Sequence, residues 1–98
     1  MPEFLVIAHH TIAADQDVDE VLAVYPKLAA ATRAEPGNVS FAVFRQLDDD
    51  RELVILERYV SRDAAEAHLR TPHFKEFVLT RLVPRLENRW SEKYDVPE

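Results

Sequence analysis

A strand–turn–strand–helix run between residues 38 and 70 restricts the fold more than any other feature of the chain. Val39, Phe41 and Val43 alternate with Ser40, Ala42 and Phe44, the two-residue period of a strand. Asp48-Asp49-Asp50-Arg51 reads as a polar turn, because an Asp side chain bonds nearby backbone. A second strand follows from Glu52 to Val60, and strands joined by so short a turn pair antiparallel. Ser61 reads as a helix N-cap, with Asp63 in the first turn where the helix dipole favours a negative charge. Upstream, Glu35-Pro36-Gly37 closes the preceding helix. Pro36 disfavours helix in the residue before it, and Gly37, the only glycine of the chain, can take a positive φ at no steric cost.

The flanking segments complete the pattern. Residues 3–12 alternate Phe4, Val6, Ala8 and His10 against Leu5, Ile7, His9 and Thr11, a strand with both faces largely covered. Asp17 with Glu20 resembles a capping box. Val18, Val21, Leu22, Tyr25, Leu28, Ala29 and Thr32 fall at helical spacing, and Pro26 inside the stripe predicts a kink. A short helix is expected over 62–70. Thr71 then caps a third helix with Pro72 at its first position, striped by Phe74, Phe77, Val78 and Leu82 and ended by Pro84. Asn88 to Val96 reads as a last strand, at a sheet edge or reaching onto a partner.

The order β-α-β-β-α-α-β with right-handed crossovers is the ferredoxin-like α+β plan: a four-stranded antiparallel sheet with helices on one face. Strand three has Val54 and Leu56 on one side and Leu53 and Ile55 on the other. The face without helices therefore needs a cover, and a second copy of the sheet is the simplest one.

Length and composition narrow the function. The 98 residues predict a single domain over 1–98. A domain this small buries a modest share of its surface, so 47% hydrophobic residues also suit a homodimer. With no cysteine there is no disulfide or thiolate chemistry, as suits a cytoplasmic protein. The apolar runs are too short to span a membrane, and no signal-peptide pattern opens the chain. A net charge of −6 argues against nucleic acid and anionic membrane as partners. One glycine is too few for a phosphate-cradling loop. The four histidines lack metal-ligand spacing, so no metal is expected.

Several short motifs within 35–74 carry a resemblance. They are Glu35-Pro36-Gly37, Phe41 (more usually tyrosine), Leu56-Glu57-Arg58-Tyr59 (often ending in tryptophan), Ala67-His68-Leu69 and Pro72-His73-Phe74. In order and spacing they resemble the antibiotic biosynthesis monooxygenase family, small ferredoxin-like proteins that pair into dimeric α+β barrels. The resemblance implies a cavity between sheet and helices, faced by Tyr59 and by a polar residue of the first strand that aligns with His9, and overhung by His68. It also implies a reaction without cofactor: a phenol or hydroquinone loses a proton, and its anion reduces O₂ to give a quinone.

Each candidate has a plain reading and a chemical one. His68 is either a half-buried histidine bonded to a carbonyl or a general base near neutral pH. Tyr59 either packs in the core or bonds a substrate oxygen. His9 is a strand-end surface residue or a pocket donor, and His9 and His10 point to opposite faces. Phe41 and Phe74 are core residues or walls of an aromatic site. His73 at a helix start is structural or a substrate contact. Glu57 needs a buried partner and reads as structural. The expected site is thus His68 as base, Tyr59 and His9 orienting, and Phe41, Phe74 and His73 against the ring of a small aromatic. Three rivals stand beside it. One is a haem-degrading enzyme, against which the lack of a clear basic residue for the propionates counts. Another is an isomerase of a phosphorylated carbonyl compound, which wants cations in the cavity. The last is a non-catalytic dimeric binding module.

Overall fold

The structure, a computed structural model, describes residues 2–97. Its elements are β1 (Glu3–Ile12), α1 (Val18–Leu22), α2 (Tyr25–Arg33), β2 (Asn38–Gln46), β3 (Asp49–Tyr59), α3 (Arg62–His68), α4 (Phe74–Leu82), a 3₁₀ turn (Val83–Arg85) and β4 (Leu86–Val96). The four strands form one antiparallel sheet in the order β2-β3-β1-β4, the ferredoxin-like arrangement. No helix among the described residues is long and apolar enough to cross a membrane.

Local chemistry accounts for most boundaries. The Asp17 carboxylate accepts the Glu20 N–H at 3.1 Å and starts α1. Ser61 does the same for α3, its hydroxyl accepting the Ala64 N–H at 3.1 Å. The Thr71 hydroxyl accepts the Phe74 N–H at 3.2 Å, so Thr71 opens α4 as its sequence context predicts. β4 pairs with β1 over nearly its whole length as an edge strand, with one irregularity at Thr11/Ile12.

Three expectations are corrected, and the winding of α4 adds a feature that the apolar spacing does not specify. The helix predicted through Pro26 is two helices: α1 stops at Leu22, and Pro26 sits in the first turn of α2, where its missing N–H costs nothing. The hairpin turn is Leu47-Asp48, and β3 begins at Asp49. The extra residues are taken up in a register shift between Arg45 and Gln46. Gly37 does not have a positive φ. A Cβ there would lie 2.5 Å from the Ala64 Cβ, so the glycine serves the close approach of α3. Finally, α4 is wound wide, with i→i+5 bonding seen at its end, where the Val83 N–H meets the Val78 carbonyl.

Helices cover one face of the sheet. Ile12, Val21, Tyr25, Leu28, Phe41, Leu53, Ile55, Val78 and Leu82 form the larger core. Phe4, Tyr59 and Ala65 form a second, smaller cluster. The two are separated by a cavity that residues of both clusters line.

Candidate active site

Residues opposite one another across an antiparallel sheet share a face. Phe4 lies opposite Tyr59, Val6 opposite Glu57 and Ala8 opposite Ile55. With Phe41, opposite Glu57 on β2, they make the floor of the cavity. Leu28 of α2, Ala65 and His68 of α3, and Phe74 and Val78 of α4 make its roof. The volume of about 440 Å³ lies in the range of small-molecule sites. Arg33 at the end of α2 holds the β2 floor in place, donating to the Phe41 carbonyl at 3.1 and 2.7 Å.

Two carboxylates flank one imidazole. His68, 3% exposed, has its Nδ1 2.6 Å from Glu35 Oε2. Its Nε2 lies 3.8 Å from Glu57 Oε1. That same Glu57 oxygen accepts the Tyr59 hydroxyl at 2.6 Å. His73 Nε2 also lies 2.6 Å from Glu35 Oε2. The local sequence produces this arrangement. Ser61 starts α3 so that Ala65 and His68 fall on its buried face. The Thr71 hydroxyl donates to the His68 carbonyl at 2.8 Å and fixes the corner that carries His73. The Glu35 N–H bonds the Thr32 carbonyl at 3.0 Å, which puts Glu35 at the end of α2 beneath that corner.

The electrostatics follow from burial. Desolvation pushes the Glu57 carboxyl above its ordinary value, and the Tyr59 hydrogen bond and His68 offset only part of the rise. Burial, then the Glu57 charge and hydrogen bond, raise the Tyr59 hydroxyl well above its ordinary value. Tyr59 therefore keeps its proton and commits it to Glu57. With the Glu35 carboxylate oxygen accepting from both imidazoles, the His68 proton sits on Nδ1, and the Nε2 lone pair is left without a hydrogen-bond donor on the cavity side. A carboxylate fixing the tautomer of a base is the logic of the catalytic triad.

The expected site residues divide. His68, Tyr59, Phe41 and Phe74 line the cavity together. His73 sits behind them on Glu35 and does not line it. His9 is on the other face of the sheet, and the placement expected for it is corrected. It stacks on Trp90 with ring centroids 3.9 Å apart and bonds Glu92 at 2.6 Å. The register explains why: with Phe4 opposite Tyr59, the even residues of β1 share the face of Tyr59. The cavity histidine of β1 is His10, whose Nδ1 lies 2.8 Å from the Tyr25 hydroxyl. Sequence reasoning gave Glu35 no chemical role, because its contacts with His68 and His73 cross 33 and 38 residues. It also placed no cation in the cavity, whereas Arg62, Arg89 and Lys93 stand on its wall. The face shared by Leu53, Ile55, Glu57 and Tyr59 was legible, and it contained the signal for Glu57.

Glu35, His68 and His73 also form a possible ligand set, since their donor atoms all lie within 4.8 Å of one another. Two imidazoles and a carboxylate suit a divalent transition metal. The spacing among histidines does not reveal this set, because the carboxylate comes from far upstream. Donors sharing one ion at bonds of about 2.0–2.2 Å stand about 2.9–3.4 Å apart. The 2.6 Å contacts are shorter and are those of hydrogen bonds.

The family model described as antibiotic biosynthesis monooxygenase matches residues 3–79. The chain belongs to the antibiotic biosynthesis monooxygenase family. The uncharacterized protein sll1783 of Synechocystis sp. is 27% identical over 74 residues, 76% of this chain and 50% of that protein. A Bacillus subtilis protein named "Putative monooxygenase YcnE" is 32% identical over 60 residues, 61% of this chain and 63% of that protein. The chain thus spans half to somewhat under two thirds of these relatives. SnoaB of Streptomyces nogalater, described as a cofactor-independent oxygenase, shares the fold of this family member at a TM-score of 0.86. It is 20% identical, with 100% of this chain and 96% of SnoaB covered.

Proposed function

We propose that this member of the family is a monooxygenase that oxidises a small phenol or hydroquinone with O₂ without a cofactor, and that it works as a homodimer. The observation that carries the reading is His68: Nδ1 tied to a carboxylate, Nε2 turned to a mostly apolar cavity. The description of SnoaB as a cofactor-independent oxygenase agrees with it.

In the proposed reaction, His68 Nε2 takes the phenolic proton. The phenolate passes one electron to O₂, the resulting superoxide and phenoxyl radical join at a ring carbon, and His68 returns its proton to the peroxide anion so formed. The O–O bond of that hydroperoxide then breaks as the ring carbon loses its hydrogen. One oxygen stays as the quinone carbonyl and the other leaves as water. Phenol plus O₂ gives quinone plus water, and the substrate supplies all the electrons. Phe41 and Phe74 hold the ring, Tyr59 accepts a hydrogen bond from a second substrate hydroxyl, and the bound ring under the helices displaces water from the reacting end. The face of the sheet opposite the helices carries Phe44, Leu56, Trp90 and Tyr94, at 52, 38, 53 and 49% exposure. A second copy covering this face completes the barrel.

The test is oxygen consumption by EDTA-treated protein against a panel of neutral hydroquinones. Saturable, flavin-free uptake is expected for the wild type, and none above the autoxidation blank for His68→Ala. Glu35→Gln should lower turnover by about one to two orders of magnitude, because the base loses its fixed tautomer. Uptake unchanged in His68→Ala, or absent in the wild type for every compound, would sink the reading.

A further inference from the structure

The cavity is charged differently at its two ends. Glu57, Tyr59 and His68 hold the proton-handling end over β3. At the other end, on β4, stand Arg89 and Lys93. Register places them. Val6 faces Glu57 on one side and Lys93 on the other, so Phe41, Glu57, Val6 and Lys93 form one row across the floor. Two strand spacings put Glu57 and Lys93 about 10 Å apart at their backbones. Arg89 occupies the corresponding position beside His10.

These cations differ from the other one on the wall. Arg62 lies over the Phe4 ring and reaches Asp95 at 3.4 Å, so it has its partner. Arg89 and Lys93 form no side-chain hydrogen bond or ion pair among the described residues. The acids also on the wall are Glu66 of α3 and Glu57, and burial holds Glu57 towards its neutral form. Arg89 and Lys93 are both exposed on the edge strand β4, at the rim of the cavity, where an anionic ligand can reach them.

We infer that Arg89 and Lys93 form a subsite for an ionised carboxylate, and that the substrate is a phenolic acid lying along the row from His68 to β4. The inference rests on the oxygenase reading for the hydroxyl end only. A ring system with its hydroxyl at the His68 end and its carboxylate at the β4 end satisfies both ends and leaves the apolar middle to the ring. The cations also offset the charge that the substrate gains when its hydroxyl ionises. Arginine and lysine bond carboxylates with charge-assisted strength, and at this exposed edge of the cavity salt screens the attraction.

Binding without oxygen tests this apart from turnover. The probes are 6-hydroxy-2-naphthoate, whose hydroxyl and carboxylate lie at opposite ends of the skeleton, and its neutral methyl ester. Anaerobic titration calorimetry should show the acid binding at least about tenfold tighter than the ester, with the preference falling as salt rises. In the Arg89→Gln/Lys93→Gln double variant the preference should vanish while the ester binds as before. Circular dichroism of the variant checks its fold. Equal affinity of acid and ester for the wild type, failure of both to bind, or a preference kept in the double variant overturns the subsite. Neutral hydroquinones that are turned over while the acid shows no preference overturn the subsite alone and leave the oxygenase reading standing.

Discussion

Gly37 lies beneath α3, where a Cβ would come within 2.5 Å of the Ala64 Cβ. Two carbons cannot share that space, so Gly37→Ala must push α3 away from the turn that carries Glu35. The expected cost is about 1–3 kcal/mol, the range for overpacking, read as a lower urea midpoint. Ala64→Gly in the same chain removes the opposing carbon and should recover part of that loss, less the cost of a glycine in a helix. If Ala64→Gly gives no recovery, the contact is not the reason for the glycine. The sequence marks this position, since it is the only glycine. Its reason was hidden, because a turn glycine and a close-approach glycine look alike until the partner is known. His9 and His10 show the same limit. Alternation separates their faces, but only the pairing of β1 with β3 says which face holds the cavity.

At the scale of elements, one hydrogen bond ties β1 to α2: His10 Nδ1 to the Tyr25 hydroxyl at 2.8 Å. Burial, with help from Arg89 and His9, lowers the His10 pKa from 6.5 to about 4. The unfolded chain therefore takes up a proton below pH 6.5 that the native state refuses until about pH 4. Stability is fully present above pH 6.5 and declines as pH falls to about 4, by about 3 kcal/mol if this group acts alone. Glu57, raised in the native state, acts with the opposite sign and is a reason to isolate His10 by mutation. His10→Asn keeps a polar atom near Tyr25 but cannot titrate. Urea midpoints at pH 7 and pH 4.5 should fall less in the variant than in the wild type, and an equal fall in both refutes the account. Most element boundaries were legible because caps and alternation are local: Asp17, Ser61 and Thr71 behave as their contexts predict. Pro26 was misjudged for a physical reason. An apolar stripe looks the same through one kinked helix and across two successive helices, while proline at a first turn is free of cost. The wide winding of α4 has no comparable local signal, since Phe74, Val78 and Leu82 at four-residue spacing suit either winding.

For the whole molecule, the unsettled surface is the helix-free face of the sheet. Its even pattern of Phe44, Leu56, Trp90 and Tyr94 was visible in the alternation of the strands, and so was the need for a cover. His9, Glu92 and Tyr94 belong to the same face. Glu92 bonds both neighbours, at 2.6 and 2.7 Å, so these three side chains pair with one another before any cover is added. A self-paired polar cluster amid aromatic side chains suits an isologous contact between two copies, in which each sheet meets the same face of the other. Light scattering after size exclusion should give the mass of two chains at micromolar concentration. Phe44→Arg with Leu56→Arg should place four like charges in the contact and give one chain. Trp90 is the only tryptophan and reports directly from the face. Its emission should shift to the red on dilution of the wild type, and should start red in the double variant. A wild-type mass of one chain at 100 times that concentration would remove the homodimer. The cavity lies on the other side of the sheet, and its floor strands and roof helices belong to the same chain.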